Sequence, residues 1–127
     1  MRKSIRLLAL AVLAALTLTA CNDDNTHINV TPDQLYGCWL KTGTQEYWRY
    51  NADGRGLTWD EADDVHEGEL GSRYFSWDVS GDRLTHVIEG DEMGVPITRI
   101  YTIQAIDSTT MQREEEIATY TFTKVDR

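Results

Sequence analysis

From residue 37 to residue 125 the chain is a succession of short segments in which apolar and polar side chains alternate, each closed by a turn signal. The clearest covers residues 72–80, where Phe75, Trp77 and Val79 alternate with Tyr74, Ser76 and Asp78 before Gly81-Asp82 ends the run. A period of two puts each set on its own face of a strand. The same rule predicts strands over residues 37–43, 44–51, 56–60, 83–89, 97–106, 111–117 and 118–125. Turns fall at Asn51-Ala52-Asp53-Gly54-Arg55-Gly56, between Gly90 and Gly94, and at Asp107-Ser108-Thr109-Thr110. The last boundary is the least defined, because Glu114-Glu115-Glu116 offers charge but no turn residue. Helix is expected only at Thr31-Pro32-Asp33-Gln34, where a capping threonine, a proline at the first helical position and a glutamine at the third form a capping box. Gly37 limits it to about one turn. Eight short strands make an all-β fold, an antiparallel barrel or a sandwich. Its core-facing set is Trp39, Trp48, Tyr50, Phe75, Trp77, Leu84, Ile88, Tyr101, Ile103, Tyr120 and Phe122.

Ahead of this domain stands a different kind of sequence. Arg2, Lys3 and Arg6 precede an apolar run from Leu7 to Leu18 broken only by Thr17, which is too short to span a bilayer comfortably and is built like a secretory signal. It closes on Leu18-Thr19-Ala20-Cys21, which resembles a bacterial lipobox. In that motif the cysteine becomes the lipidated N-terminus, so the expected organisation is a signal over residues 1–20, a lipidated tether over 21–30 and one domain over 31–127. Lipidation of Cys21 makes the membrane a partner and the cell envelope, at its outer membrane, the expected location. The polar Asn22-Asp23-Asp24-Asn25 suits a solvated tether, with at most about 30 Å of reach from residue 22 to residue 30.

Charge narrows the function. All 21 Asp and Glu lie after Ala20, against nine of the 12 Lys and Arg, so the mature part is strongly acidic. Such a surface repels phosphate backbones, and nucleic acid is not an expected partner. With Cys21 lipidated, Cys38 has no disulfide partner and reads as a small buried hydrophobe. The segment from Asp60 to Glu69 gathers six carboxylates and His66, and Asp60, Asp63 and Asp64 are the candidate ligands for a hard cation. Acidic loops of this kind are more often simply solvated. Trp59 at the edge of that loop is a candidate stacking platform for a sugar. His86, between Leu84 and Ile88, is expected on the inner face, as a satisfied core histidine or as a polar group in an apolar pocket. The sequence holds no nucleophile elbow, phosphate loop or zinc motif, implies no cofactor, and favours a binding protein over an enzyme.

Several stretches together resemble the lipocalin-like lipoproteins of Bacteroidetes. They are Gly37-Cys38-Trp39 after a helical turn, Tyr50-Asn51-Ala52-Asp53-Gly54 with Gly56, Trp77-Asp78-Val79-Ser80-Gly81-Asp82-Arg83-Leu84, Tyr101-Thr102-Ile103, and Tyr120-Thr121-Phe122-Thr123-Lys124. Asp23-Asp24 after the cysteine also resembles the surface-export signal of such lipoproteins. The resemblance implies an eight-stranded up-and-down barrel whose motif tryptophan, Trp39, lies at the closed end beneath a basic residue of the last strand. Lys124 is the matching residue, where the family usually has arginine, and Arg127 is second. It also implies a small hydrophobic or amphipathic ligand at the open end, with Trp48, Tyr50, Trp77, His86, Tyr101 and Tyr120 as candidate contacts. A barrel of this size is equally able to be filled by its own side chains. The function is then exerted through the outer surface, as an interaction, inhibitor or glycan-associated module with a protein or glycan partner.

Overall fold

The computed structural model describes residues 27–90 and 94–127; the expected signal and lipobox lie outside the described residues. A single helical turn, α1 (Pro32–Leu35), precedes eight strands: β1 (Gly37–Lys41), β2 (Glu46–Tyr50), β3 (Arg55–Asp60), β4 (Arg73–Ser80), β5 (Arg83–Ile88), β6 (Ile97–Ile106), β7 (Thr110–Glu115) and β8 (Ala118–Val125). Each pairs antiparallel with its neighbour in sequence, and β8 returns to β1, closing an up-and-down barrel without a free edge. The capping box at Thr31 and Gln34 is formed.

Alternation sets the interior. Trp39, Trp48, Tyr50, Phe75, Trp77, Leu84, Ile88, Tyr101, Ile103 and Phe122 all join one buried cluster. Tyr120 does not: it shares the inward parity of Phe122 but stands at the rim, partly exposed beneath the Lys41 ammonium. On β6 strict alternation is interrupted between Ile103 and Ala105. The irregularity brings both Ile103 and Ile106 against the core, Ile106 opposite Met111.

One end of the barrel is sealed. Leu35 of α1 is buried there and its carbonyl accepts from the Trp39 indole at 3.0 Å. Val30, assigned from sequence to the tether, is instead buried, and its amide donates to Gly81 at 2.8 Å. The alternation Ile28-Asn29-Val30 supplies the apolar side chains that draw this segment into the base. The turn between β7 and β8 is Glu116-Ile117, so β7 ends two residues earlier than expected. Glu116 reaches the left-handed region, at φ 56°, without glycine.

A second, smaller cluster lies on the outer wall. Cys38, Leu57 and Trp59 point away from the interior and are covered by Tyr47, Val65 and Val125. The acidic segment, which begins with a 3-10 turn at Glu61–Asp63, folds over them as a flap. Arg49 pairs with Glu67 at 2.5 Å and Arg127 with Glu61 at 2.8 Å, so arginines hold it down.

Gly56 faces the barrel interior where Phe75 crosses β3. A methyl group there meets the Phe75 ring at 2.4 Å and the Arg49 carbonyl at 2.5 Å. Because one obstacle is backbone, Gly56→Ala is expected to cost about 1–3 kcal/mol. The cost is to be read as a lower urea midpoint at an unchanged slope.

Candidate functional site

The open end is where the site lies. Strands β2 to β6 surround a cavity of about 390 Å³ whose apolar lining is Trp48, Ile88, Ile97 and Tyr101, with Trp59 and Val65 on the side of the acidic segment. Its charges are segregated. Glu46, Asp60 and Asp63 lie on the β2–β3 side, Arg73 and Arg99 on the β4–β6 side. Glu46 fixes one wall by accepting from the Trp48 indole at 2.7 Å. A smaller recess bounded by Arg99, Tyr101, Glu115, Glu116 and Tyr120 adjoins it across Tyr101.

Beneath the cavity the barrel is full, and its filling is polar at the centre. Arg113 of β7 is 1% exposed, with its guanidinium over the rings of Tyr101 (4.1 Å), Phe122 (4.4 Å) and Trp48 (4.7 Å). Its Nε donates to Glu115 at 3.0 Å, Nη2 donates to the same carboxylate oxygen, and Nη1 donates to the Tyr50 hydroxyl at 3.1 Å. Burial works against this charge, but Tyr50 and Glu115 more than offset it and hold the guanidinium pKa above its ordinary value.

Tyr50 Oη lies 2.9 Å from His86 Nε2. Arg113 has no acceptor atom, so it donates to Tyr50, and the Tyr50 proton is free to go to Nε2. That assignment leaves one buried atom without a partner, His86 Nδ1, whereas the reverse tautomer strands the Tyr50 proton as well. Burial pushes the Tyr50 hydroxyl pKa up, and burial followed by the Arg113 charge pushes His86 well below its usual value. Both stay neutral. His86 stacks on Phe75, with ring centroids 4.4 Å apart, and is walled by Tyr101 at 4.8 Å.

No protein-family model matches the sequence, and no curated protein matches it. Solved structures do match. A lipocalin-like protein from Bacteroides uniformis superposes with a TM-score of 0.58 at 14% identity, covering 72% of this chain and 99% of its own. An uncharacterized protein from Bacteroides eggerthii gives 0.55 at 11% identity with the same coverage. The fold is lipocalin-like. At these identities the likeness concerns architecture, and the site has to be argued from this chain's own residues.

Within the lipocalin-like barrel the candidate residues separate by depth. Trp48 and Tyr101 line the cavity and Tyr120 the adjoining recess. Tyr50 and His86 lie below the floor, and Trp77 is lower still, its indole donating to the Arg55 carbonyl at 3.0 Å. At the sealed end Lys124 Nζ stands 5.0 Å from the Trp39 ring. Gly37, at φ +123°, leaves the room, since a Cβ there meets Lys124 Cε at 2.9 Å. Arg127 lies over Tyr47 instead, on the outer wall.

Two further candidates lie around the acidic segment. Trp59 borders the cavity but is 3% exposed, stacked on Tyr47 at 5.2 Å and roofed by the flap. The acidic segment spends its charges on arginines and on its own backbone. Asp60 accepts from the Ala62 amide at 3.0 Å, the Asp64 side chain is fully exposed, and among the described residues no three ligating side chains converge. Burial raises the Cys38 pKa and keeps it a thiol.

Sequence reasoning missed Arg113 and Glu115. The available signal was their parity with Met111, which placed Met111, Arg113 and Glu115 on one face of β7.

His86 supplies the test of this core. Its folded-state pKa lies below the unfolded value of about 6.5, so the stability tied to its neutral form is present above pH 6.5 and lost as pH falls below it. The loss is expected to approach about 1.4 kcal/mol per pH unit until the folded-state pKa is reached. His86→Gln, which keeps an acceptor for Tyr50, is expected to lose that component. Urea midpoints at pH 7.5 and 5.5 check it: the variant's difference between them should be smaller than the wild type's.

Proposed function

We propose that this protein binds a small hydrophobic or amphipathic ligand in the mouth of its barrel, as a lipoprotein held at the cell envelope through Cys21. One observation carries the ligand reading: the base is packed shut, while the mouth keeps a cavity of about 390 Å³ with aromatic walls and acidic and basic groups on opposite sides. That combination of apolar lining and convergent polar atoms is the ordinary chemistry of a small-molecule site, at the lower end of the usual size range. The envelope reading is supported by the basic, apolar and lipobox succession of residues 1–21.

A second reading has its own support. Leu70 and Ile117, in loops at the open end, are 99% and 98% exposed. Apolar side chains at loop tips suit a protein partner at the rim, and in that case the barrel acts through its surface.

Ile97 separates the two. It lines the cavity yet is partly exposed, so Ile97→Asn leaves the packed base untouched. Binding of the amphipathic anionic dye anilinonaphthalene sulfonate is expected to weaken about tenfold, with thermal stability unchanged, as measured by dye fluorescence and calorimetry. Native mass spectrometry of protein purified from its natural host and a foreign one is expected to show a retained mass. A bare protein from both, with dye binding insensitive to Ile97→Asn, removes the cavity from consideration and favours the rim.

A further inference from the structure

We propose that Arg113 is the anchor for the carboxylate of an amphipathic organic anion, and that Glu115 holds the position which the ligand's carboxylate takes. This rests on the cavity being a ligand site, and it names the class of ligand.

The argument begins with what a guanidinium at this depth requires. Arg113 is charged at any physiological pH and 1% exposed, so an anion must accompany it. Its companion is local. Glu115 lies two residues along the same strand and on the same face, and the pair joins no two strands. Exchanging that carboxylate for another therefore breaks no tertiary contact and leaves the charge balance of the interior unchanged.

Access is built in. The Glu115 side chain is 22% exposed, directly beside the strained turn residue Glu116 and in the recess that adjoins the cavity. Turning outward puts Glu115 in water, where a carboxylate is best solvated. The two rings that clasp the guanidinium on the cavity side, Trp48 and Tyr101, are also cavity walls. An apolar body lying on them directs its head group towards Arg113. Arg99 borders both cavity and recess and sets a cation on this approach opposite Glu115 and Glu116, while the acidic wall of Glu46, Asp60 and Asp63 is on the other side. A planar fork suits the two oxygens of a carboxylate better than a hydroxyl, which offers a single oxygen and no charge.

Decanoate and decanol distinguish the possibilities, since they share a chain and differ in the head group. Tryptophan fluorescence titrations of the purified protein are expected to show decanoate binding at least tenfold more tightly than decanol. Glu115→Gln, which removes the competing charge but keeps an acceptor for Arg113, is expected to tighten decanoate about tenfold and leave decanol unchanged. Decanoate is also expected to raise the melting temperature of that variant more than that of the wild type. Arg113→Lys is expected to erase the preference for decanoate, and if it does not fold, Glu115→Gln decides alone. Equal binding of the two, or no gain for decanoate in Glu115→Gln, overturns the assignment of Arg113 while leaving a neutral cavity intact. Binding of neither overturns the cavity reading and this one together.

Discussion

The structure turns on a positive charge placed where no water reaches it. Arg113 lies between the close-packed base and the residues that wall the cavity. The guanidinium is tolerated because three aromatic faces, one hydroxyl and one carboxylate surround it. Removing a single partner from such an arrangement generally costs several kcal/mol, since the remaining charge is left uncompensated. Its neighbours are therefore fixed in turn. Tyr50 is oriented by Arg113, His86 by Tyr50, and Phe75 by stacking on His86. This chain of contacts runs across β7, β2, β5 and β4, and so ties opposite walls of the barrel through its centre. It explains how a small domain combines a rigid base with an open mouth.

The outer wall solves a different problem with the same residue type. Cys38, Leu57 and Trp59 form an apolar patch that a bare barrel would expose. The acidic flap covers it, and Arg49 and Arg127 pin the flap from below. Surface ion pairs contribute little individually. Here their role is positional, because the apolar contact of Val65 with the patch supplies the burial and the pairs set the register of the loop above it. An accumulation of carboxylates that resembles a cation loop in sequence is thus the polar outside of a hydrophobic lid.

These two features mark the limit of what is legible in the sequence. A period of two is enough to give the number and order of strands and to place Trp39, Phe75, Leu84 and Ile103 inside, because burial on one face of a strand leaves a direct trace in composition. It does not reveal which face of β3 is inner when both are covered. Gly56 and Thr58 face the interior there while Leu57 and Trp59 face the flap, so the bulkier set lies outside. Nor does alternation expose a buried charge. Gln112-Arg113-Glu114-Glu115-Glu116 reads as a solvated stretch, and only the parity of Arg113 with Met111 hints otherwise. The sites themselves were half legible. Trp48 and Tyr101 were identifiable as inward aromatics, but their position as cavity wall, against that of Trp77 in the packed base, depends on their height along the barrel axis. Height follows from strand register and closure, which no local pattern contains.

Orientation completes the physical picture. The N-terminal segment enters at the sealed end, where Val30 is bound to Gly81 and His27 lies 2.7 Å from Asp82. Cys21 is six residues upstream of His27, a reach of about 20 Å when extended. A lipid at Cys21, as we propose, therefore holds the base towards the bilayer and turns the mouth to the aqueous side. A ligand taken up there arrives through water rather than from the acyl layer. That favours molecules with a solvated head group over wholly apolar ones, and it is the same selection that the proposed anchoring on Arg113 would impose from within.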